Sequence, residues 1–433
     1  MTPQSSFMIL ATINPAREAD LRELLASMNH EPGLFDPTNA IAPLGDFRRL
    51  HFARIVILED KTLSDIAVYG LPRVDYPTYL AFLGDCDGPI DELLAEMVDR
   101  SGEGLRRIFE HSDDYTRGAD LLDWMKAHNV TSAANYVNWV GRTVRQVSEE
   151  ELLRQALEKF IQENSGLLRT MRPKLARDTL RNFVAAEQQA GRLALTPSEP
   201  TPWGWQLRNF VHLLGIPILL LIVSPLLLLA LPFFLVQLRR CERSDPVVAP
   251  RVDPAHANLL SSIEDLGVTN QFSAMGSLKP GLFRRLTITL VLGAIDYTAR
   301  HVFNRGRLAR VTTIQFARWV FLDDKRRVIF ASNYDGSLEG YMDDFINKVG
   351  FGLNVVFSNG LGYPRTNWLV LNGAKDEQSF KEYLRRHQVP TQVWYNAHPG
   401  LTALDKRRNS LIREGIEKSN VTDSEIQGWL QLL

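Results

Sequence analysis

Only two cysteines occur in 433 residues, Cys86 and Cys241. With so few, a disulfide framework is not expected, and a reducing compartment is compatible with the count. The spacings that announce metal, hydrolase or nucleotide chemistry are also missing. There is no His-x-x-x-His, no Cys-x-x-Cys, no Gly-x-Ser-x-Gly elbow and no phosphate loop. A formal net charge of -1 excludes a global attraction to nucleic acid or anionic lipid. Residues Met1 to Phe7 carry no basic stretch leading into a long apolar run, so a secretory leader is not expected and the first half is expected to stay in the cytoplasm.

The most informative absence is local. From Leu213 to Val236 no residue is charged, and Trp203, Trp205 and Arg208 flank the run on one side and Arg239, Arg240 and Arg243 on the other. That length suffices to cross a hydrocarbon core of about 30 Å as a helix. Pro217, Pro225 and Pro232 interrupt it, and two arrangements stay open: a hairpin turning near Ser224-Pro225, or a single span. The hairpin keeps both halves on the cytoplasmic side and is the expected arrangement.

What is present twice matters as much. Phe52-Ala53-Arg54 leads into Leu58-Glu59-Asp60-Lys61, and Phe316-Ala317-Arg318 leads into Leu322-Asp323-Asp324-Lys325 at the same spacing. Asp87-Gly88, Tyr115, His128 and Tyr136 recur as Asp335-Gly336, Tyr363, His387 and Tyr395. The pattern reads as an internal duplication. In the first copy, 7–13 suits a strand, 16–28 a helix, 51–58 and 78–82 strands, 90–98 a helix and 105–109 a strand. In the second, 315–322 and 327–332 flank a polar turn, Ser337 caps a helix through Val349, and 353–358 closes the unit. This predicts an α+β fold of two fused ferredoxin-like (βαββαβ) units forming a pseudo-dimeric α+β barrel, with a membrane-inserted helical segment between them. The corresponding division is 1–165 for the first unit with a helical extension, 166–207 for a helix and linker, 208–240 for the membrane segment, 241–268 for a second linker and 269–433 for the second unit. Tyr136 and Tyr395 fall in the extensions. Leu282 to Phe303, with its leucines and terminal arginines, suits either an interfacial helix or a long core helix.

Chemistry-bearing candidates are few. Arg54 and Arg318 sit mid-strand in apolar runs, where a cation needs a partner or a wet cavity. A hairpin centred on 323–326 places Arg318 opposite Ala331, on the face of Asn333, with Asp335 at the strand end. The reading divides between a buried ion pair and a pocket. His128 and His387 follow helices and suit C-terminal caps. His51, His398 and His301 have no histidine counterpart and so serve one half only. Lys406-Arg407-Arg408 reads as a solvated helix face.

The strings Ile314-Gln315-Phe316-Ala317-Arg318-Trp319 and Ser332-Asn333-Tyr334-Asp335-Gly336-Ser337 resemble those of a poorly characterised bacterial family of membrane-associated proteins. The likeness extends through Lys279-Pro280-Gly281 and Gln392-Val393-Trp394-Tyr395. The duplicated layout is also similar to dye-decolorizing peroxidases and chlorite dismutases, which hold haem in one half of such a pair. The former use an Asp-Gly motif and a distal arginine, although Asp335-Gly336 lacks the glycine that precedes theirs. The resemblance implies a protein of the bacterial inner membrane, and the hairpin with its basic flanks places both units on the cytoplasmic side. Together with the hairpin register, the likeness suggests oxidoreductase-like chemistry on a hydrophobic, membrane-derived substrate, with Arg318, Asp335 and Asn333 as catalytic residues; no histidine sits in a proximal signature, and the unmatched His398 and His301 are the candidates for holding a haem. The alternative is a non-catalytic membrane scaffold or lipid-binding protein. Expected partners are membrane lipid or a hydrophobic small molecule and not nucleic acid; a homo-oligomer is compatible with the sequence.

Overall fold

The computed structural model describes residues 1–247, 251–306, 308–419 and 421–433; part of the expected 241–268 linker thus lies outside the described residues. The principal strands are β1 (Gln4–Thr12), β2 (Leu50–Leu58), β3 (Tyr79–Asp87), β4 (Ala134–Val137), β5 (Thr269–Ser277), β6 (Ile314–Leu322), β7 (Arg327–Asp335) and β8 (Thr391–Asn396). The principal helices are α1 (Glu18–Ala26), α2 (Ile90–Phe109), α3 (Leu121–Ala127), α4 (Val144–Glu163), α5 (Pro173–Gln189), α6 (Trp203–Ser244), α7 (Leu282–His301), α8 (Leu338–Phe357), α9 (Glu377–His387), α10 (Ala403–Glu417) and α11 (Asp423–Leu430).

Two antiparallel four-stranded sheets organise the chain, with strand orders β1-β3-β2-β8 and β4-β6-β7-β5. Each takes its fourth strand from the other half of the sequence: β8 pairs with β2, and β4 pairs with β6. Tyr136 and Tyr395, placed by sequence in helical extensions, belong to these exchanged strands.

All of β2 is buried because both of its faces are covered. Ala53, Ile55 and Ile57 point into a core shared with α1, α2 and α3. Val56 and Leu58 instead meet Val320, Leu322, Ile329 and Ala331 of the other sheet, so the sheets pack face to face. Behind the second sheet, Ile288, Leu292, Tyr341, Leu353 and Leu384 form the matching core with α7, α8 and α9. A satellite cluster of Leu153, Leu180, Ile412 and Trp429 joins α4, α5, α10 and α11.

Three expectations are corrected. Residues 105–109 and 353–358 are not strands: α2 and α8 each run for 20 residues through one non-helical position, Ser101 and Val349 respectively. Glycines nearby imitate strand boundaries, but at Gly104 the reason is a close approach, since an added Cβ would lie 1.6 Å from the Ile41 carbonyl oxygen. The apolar segment does not turn back at Pro225 either. It is one helix of 42 residues, α6, roughly 60 Å long at the α-helical rise. Pro225 cannot donate to the Leu221 carbonyl, and the Ser224 hydroxyl donates to that oxygen instead at 2.7 Å, so the helix continues.

Candidate functional site

Arg54 and Arg318 cross the layer between the sheets in opposite directions. Arg54 donates to the carbonyls of Phe272 and Ser332, both at 2.8 Å, and to Ser273 Oγ at 3.1 Å. Arg318 donates to the carbonyls of Phe7 and Gly84 and to the Asp85 carboxylate. The expected register holds, with Arg318 opposite Ala331. Its carboxylate partner is Asp85 of the other sheet, and the expected proximity to Asp335 gives way to this cross-sheet contact. The physical reason is that the inward side of β6 looks across the layer onto β1 and β3 and not along its own sheet to the end of β7.

Arg318 has a carboxylate within ion-pair distance, whereas Arg54 has none among the described residues and lies 4.8 Å from the centre of the Trp394 ring. Burial, with Arg318 nearby, pulls the Arg54 guanidinium down to about 9. Burial also holds the Asp85 carboxyl above the usual range, against the pull of Arg318 and Arg54. The space left around these groups is about 10 Å³, at most one water and no substrate.

At one end of the layer lies a polar mouth. Asp87, at the end of β3, accepts from His51 Nε2 at 2.8 Å and from the Val144 amide at the start of α4 at 2.8 Å. Asp335, at the end of β7, does the same work: it accepts from Thr269 Oγ1 at 2.8 Å, Gln315 Nε2 at 3.0 Å and the Ala403 amide opening α10 at 2.6 Å. A carboxylate at a helix N-terminus satisfies an orphan amide and complements the helix dipole. Asp335 is thus a helix anchor. Asn333 accepts from the Phe316 amide at 2.7 Å and holds β6 to β7.

The two histidines named for haem lie in different settings. His398 is buried, its Nε2 between Ser148 Oγ at 2.9 Å and the Val144 carbonyl at 3.1 Å. Burial, reinforced by Lys406 and His51, pushes it down to about 2. His301, at the end of α7, meets His212 of α6 at 2.8 Å. The polar mouth offers about 50 Å³, whereas a cofactor-sized pocket needs roughly 300 Å³ or more. A larger groove of about 1350 Å³ beside Arg48, Arg145 and Trp205 is lined by no histidine, cysteine or methionine among the described residues. These residues do not fit a haem.

His128 and His387 end their helices, each ring Nδ1 lying 2.8 Å from the carbonyl four residues earlier, but burial pulls the His387 imidazole down, so it does so as a neutral ring and not as the expected cation. Lys406 is a correction, because it is half-buried and donates to Gln315 Oε1 at 2.5 Å while Arg407 and Arg408 stay exposed. The Thr402–Asp405 capping box carries the overlooked signal: it starts the helix at Ala403 and turns Lys406 inward. Asp85 was also missed, since nothing in its spacing points across the layer.

The remaining feature is α6 itself. It is long and apolar enough to cross a membrane, and none of its most apolar window is buried. It runs antiparallel to α7: His212 meets His301 near one end, Phe234 packs on Phe283 at 5.1 Å near the other, and Tyr297 Oη donates to the Leu213 carbonyl at 3.0 Å. Its last turns are tied down by Glu242, which accepts from Thr366 Oγ1 and the amides of Trp368 and Leu369, and by Asp245 just beyond, which meets Lys279 and Arg284. Leu282, Leu286 and Leu290 of α7 are 73%, 54% and 68% exposed alongside, so the apolar surface continues past α6. Set against known proteins, the chain matches no protein-family model, no curated protein and no solved structure.

Proposed function

We propose that this is a monotopic membrane protein acting as a scaffold or lipid-binding platform, with α6 and the outer leucines of α7 sunk into one leaflet. In this reading two fused ferredoxin-like units, related by duplication, form the body that rests on the membrane. The observation that carries it is the antiparallel contact of α6 with α7, with both ends of α6 fastened to the same body. A helix crossing the bilayer would carry α7, and the sheet behind it, to the same depth. An α6 lying in the membrane plane avoids that, and an apolar surface of this extent in water would drive association. The oxidoreductase reading loses support because Arg318, Asn333 and Asp335 are all engaged in holding strands and helices.

The test is cysteine labelling in sealed vesicles, in a Cys241→Ser background whose remaining Cys86 is fully buried, with one cysteine at a time placed at Trp203, Ser244, Lys61 or Lys325. All four should react with an impermeant reagent from one side only. Labelling of Trp203→Cys and Ser244→Cys from opposite sides would establish a span and retire the in-plane reading.

A further inference from the structure

The polar mouth between the sheets contains hydrogen-bonding capacity that the described residues leave unused, and from it we infer that the mouth binds a small oxyanion carrying a hydroxyl, such as hydrogen phosphate or a short hydroxy acid. The lining includes Lys406, Arg142, Asn138 and Gln315. The Lys406 ammonium gives one hydrogen bond to Gln315 Oε1 and sits 5.0 Å from the centre of the Phe52 ring; among the described residues no carboxylate comes within 4 Å of it. Gln315 is held in this orientation, since its Nε2 is committed to Thr269 and Asp335. Asp335 cannot turn toward the lysine, because both its oxygens already accept from Thr269, Gln315 and Ala403. Two ammonium protons therefore face no acceptor among the described residues.

Arg142 supplies a second donor. Its terminal nitrogens pair with Glu150 and Glu414, but its buried Nε has no acceptor. Opposite in sense is Asn138, 8% exposed, whose amide nitrogen donates to the Ile314 carbonyl while its Oδ1 receives nothing. Two cationic donors and one lone acceptor match an anion whose oxygens accept and whose hydroxyl donates. About 50 Å³ suits a ligand the size of a few waters and excludes anything larger. Burial also holds the Lys406 ammonium down to about 8, so charge brought to its side is favoured. This inference stands apart from the membrane contact.

Calorimetric titration of the detergent-solubilised full chain with sodium phosphate, against sodium chloride at equal ionic strength, should give saturable one-site binding and a raised thermal midpoint. Glycolate should bind and acetate, which has no hydroxyl for Asn138, should bind about tenfold more weakly. Lys406→Met should weaken phosphate at least about tenfold, and Asn138→Asp, nearly isosteric, provides the same loss should the lysine variant fail to fold. Absence of saturable phosphate and glycolate binding in the wild type, or unchanged affinity in folded Lys406→Met, overturns the proposal.

Discussion

At the residue scale the two arginines, matched in sequence, differ in what they leave behind when removed. Truncating Arg318 strands the buried Asp85 carboxylate, and breaking such a pair costs about 3–5 kcal/mol. Truncating Arg54 leaves carbonyls of Phe272 and Ser332 without that donor but also removes a buried cation close to Arg318, so the loss should be about 1–3 kcal/mol. Urea unfolding of Arg318→Ala and Arg54→Ala should rank them in that order. Equal losses would mean that the carboxylate is not what distinguishes them. His398 sets a pH dependence of definite sign. Below its ordinary 6.5 an unfolded chain takes up a proton that the folded chain refuses until about 2, so stability present above 6.5 is lost as pH falls through that window. The slope is about 1.4 kcal/mol per pH unit from this group. His398→Asn should flatten the curve between pH 6 and 4 in chemical denaturation; an unchanged slope would assign the loss to other groups.

At the scale of elements, α7 has two kinds of leucine. Leu292 is fully buried against the second sheet, and Leu286 is 54% exposed beside α6. A charge at the first breaks the core, whereas a charge at the second touches only what lies outside. Leu286→Glu should leave the thermal midpoint within about 0.5 kcal/mol of wild type and reduce flotation with vesicles. If flotation is unchanged, α7 lies clear of the lipid and α6 alone makes the contact. One face of 282–303 is core, as the core-helix reading of the sequence expects, and the other face is bare. In α2 and α8 the sequence suggests a break because Gly102, Gly104, Gly350 and Gly352 interrupt the apolar pattern, and only packing reveals that a kinked helix continues through them.

At the scale of the molecule, the exchanged strands make the halves interdependent. A fragment 1–202 lacks β8 and so leaves β2 as an open edge, while its own β4 has no β6 to pair with; 203–433 is deficient in the reciprocal way. Each fragment expressed alone should aggregate, and the two together should form a soluble or detergent-stable complex on size exclusion. A fragment 1–202 that is monomeric and cooperatively folded would show that the exchange is dispensable.

The amino-acid sequence by itself determined the strands around Arg54 and Arg318, the register that sets Arg318 opposite Ala331, the capped helices and the one apolar segment, because each depends on period, turn chemistry or length within a single stretch. Tertiary structure decided what those stretches meet. Whether β4 completes its own sheet or the other, whether Arg318 reaches Asp335 or Asp85, and whether Lys406 faces water or Gln315 depend on which surfaces come together after the elements form. The same holds for α6: composition made it apolar on every side, and only its contacts with His301, Phe283 and Trp368 laid it along the body.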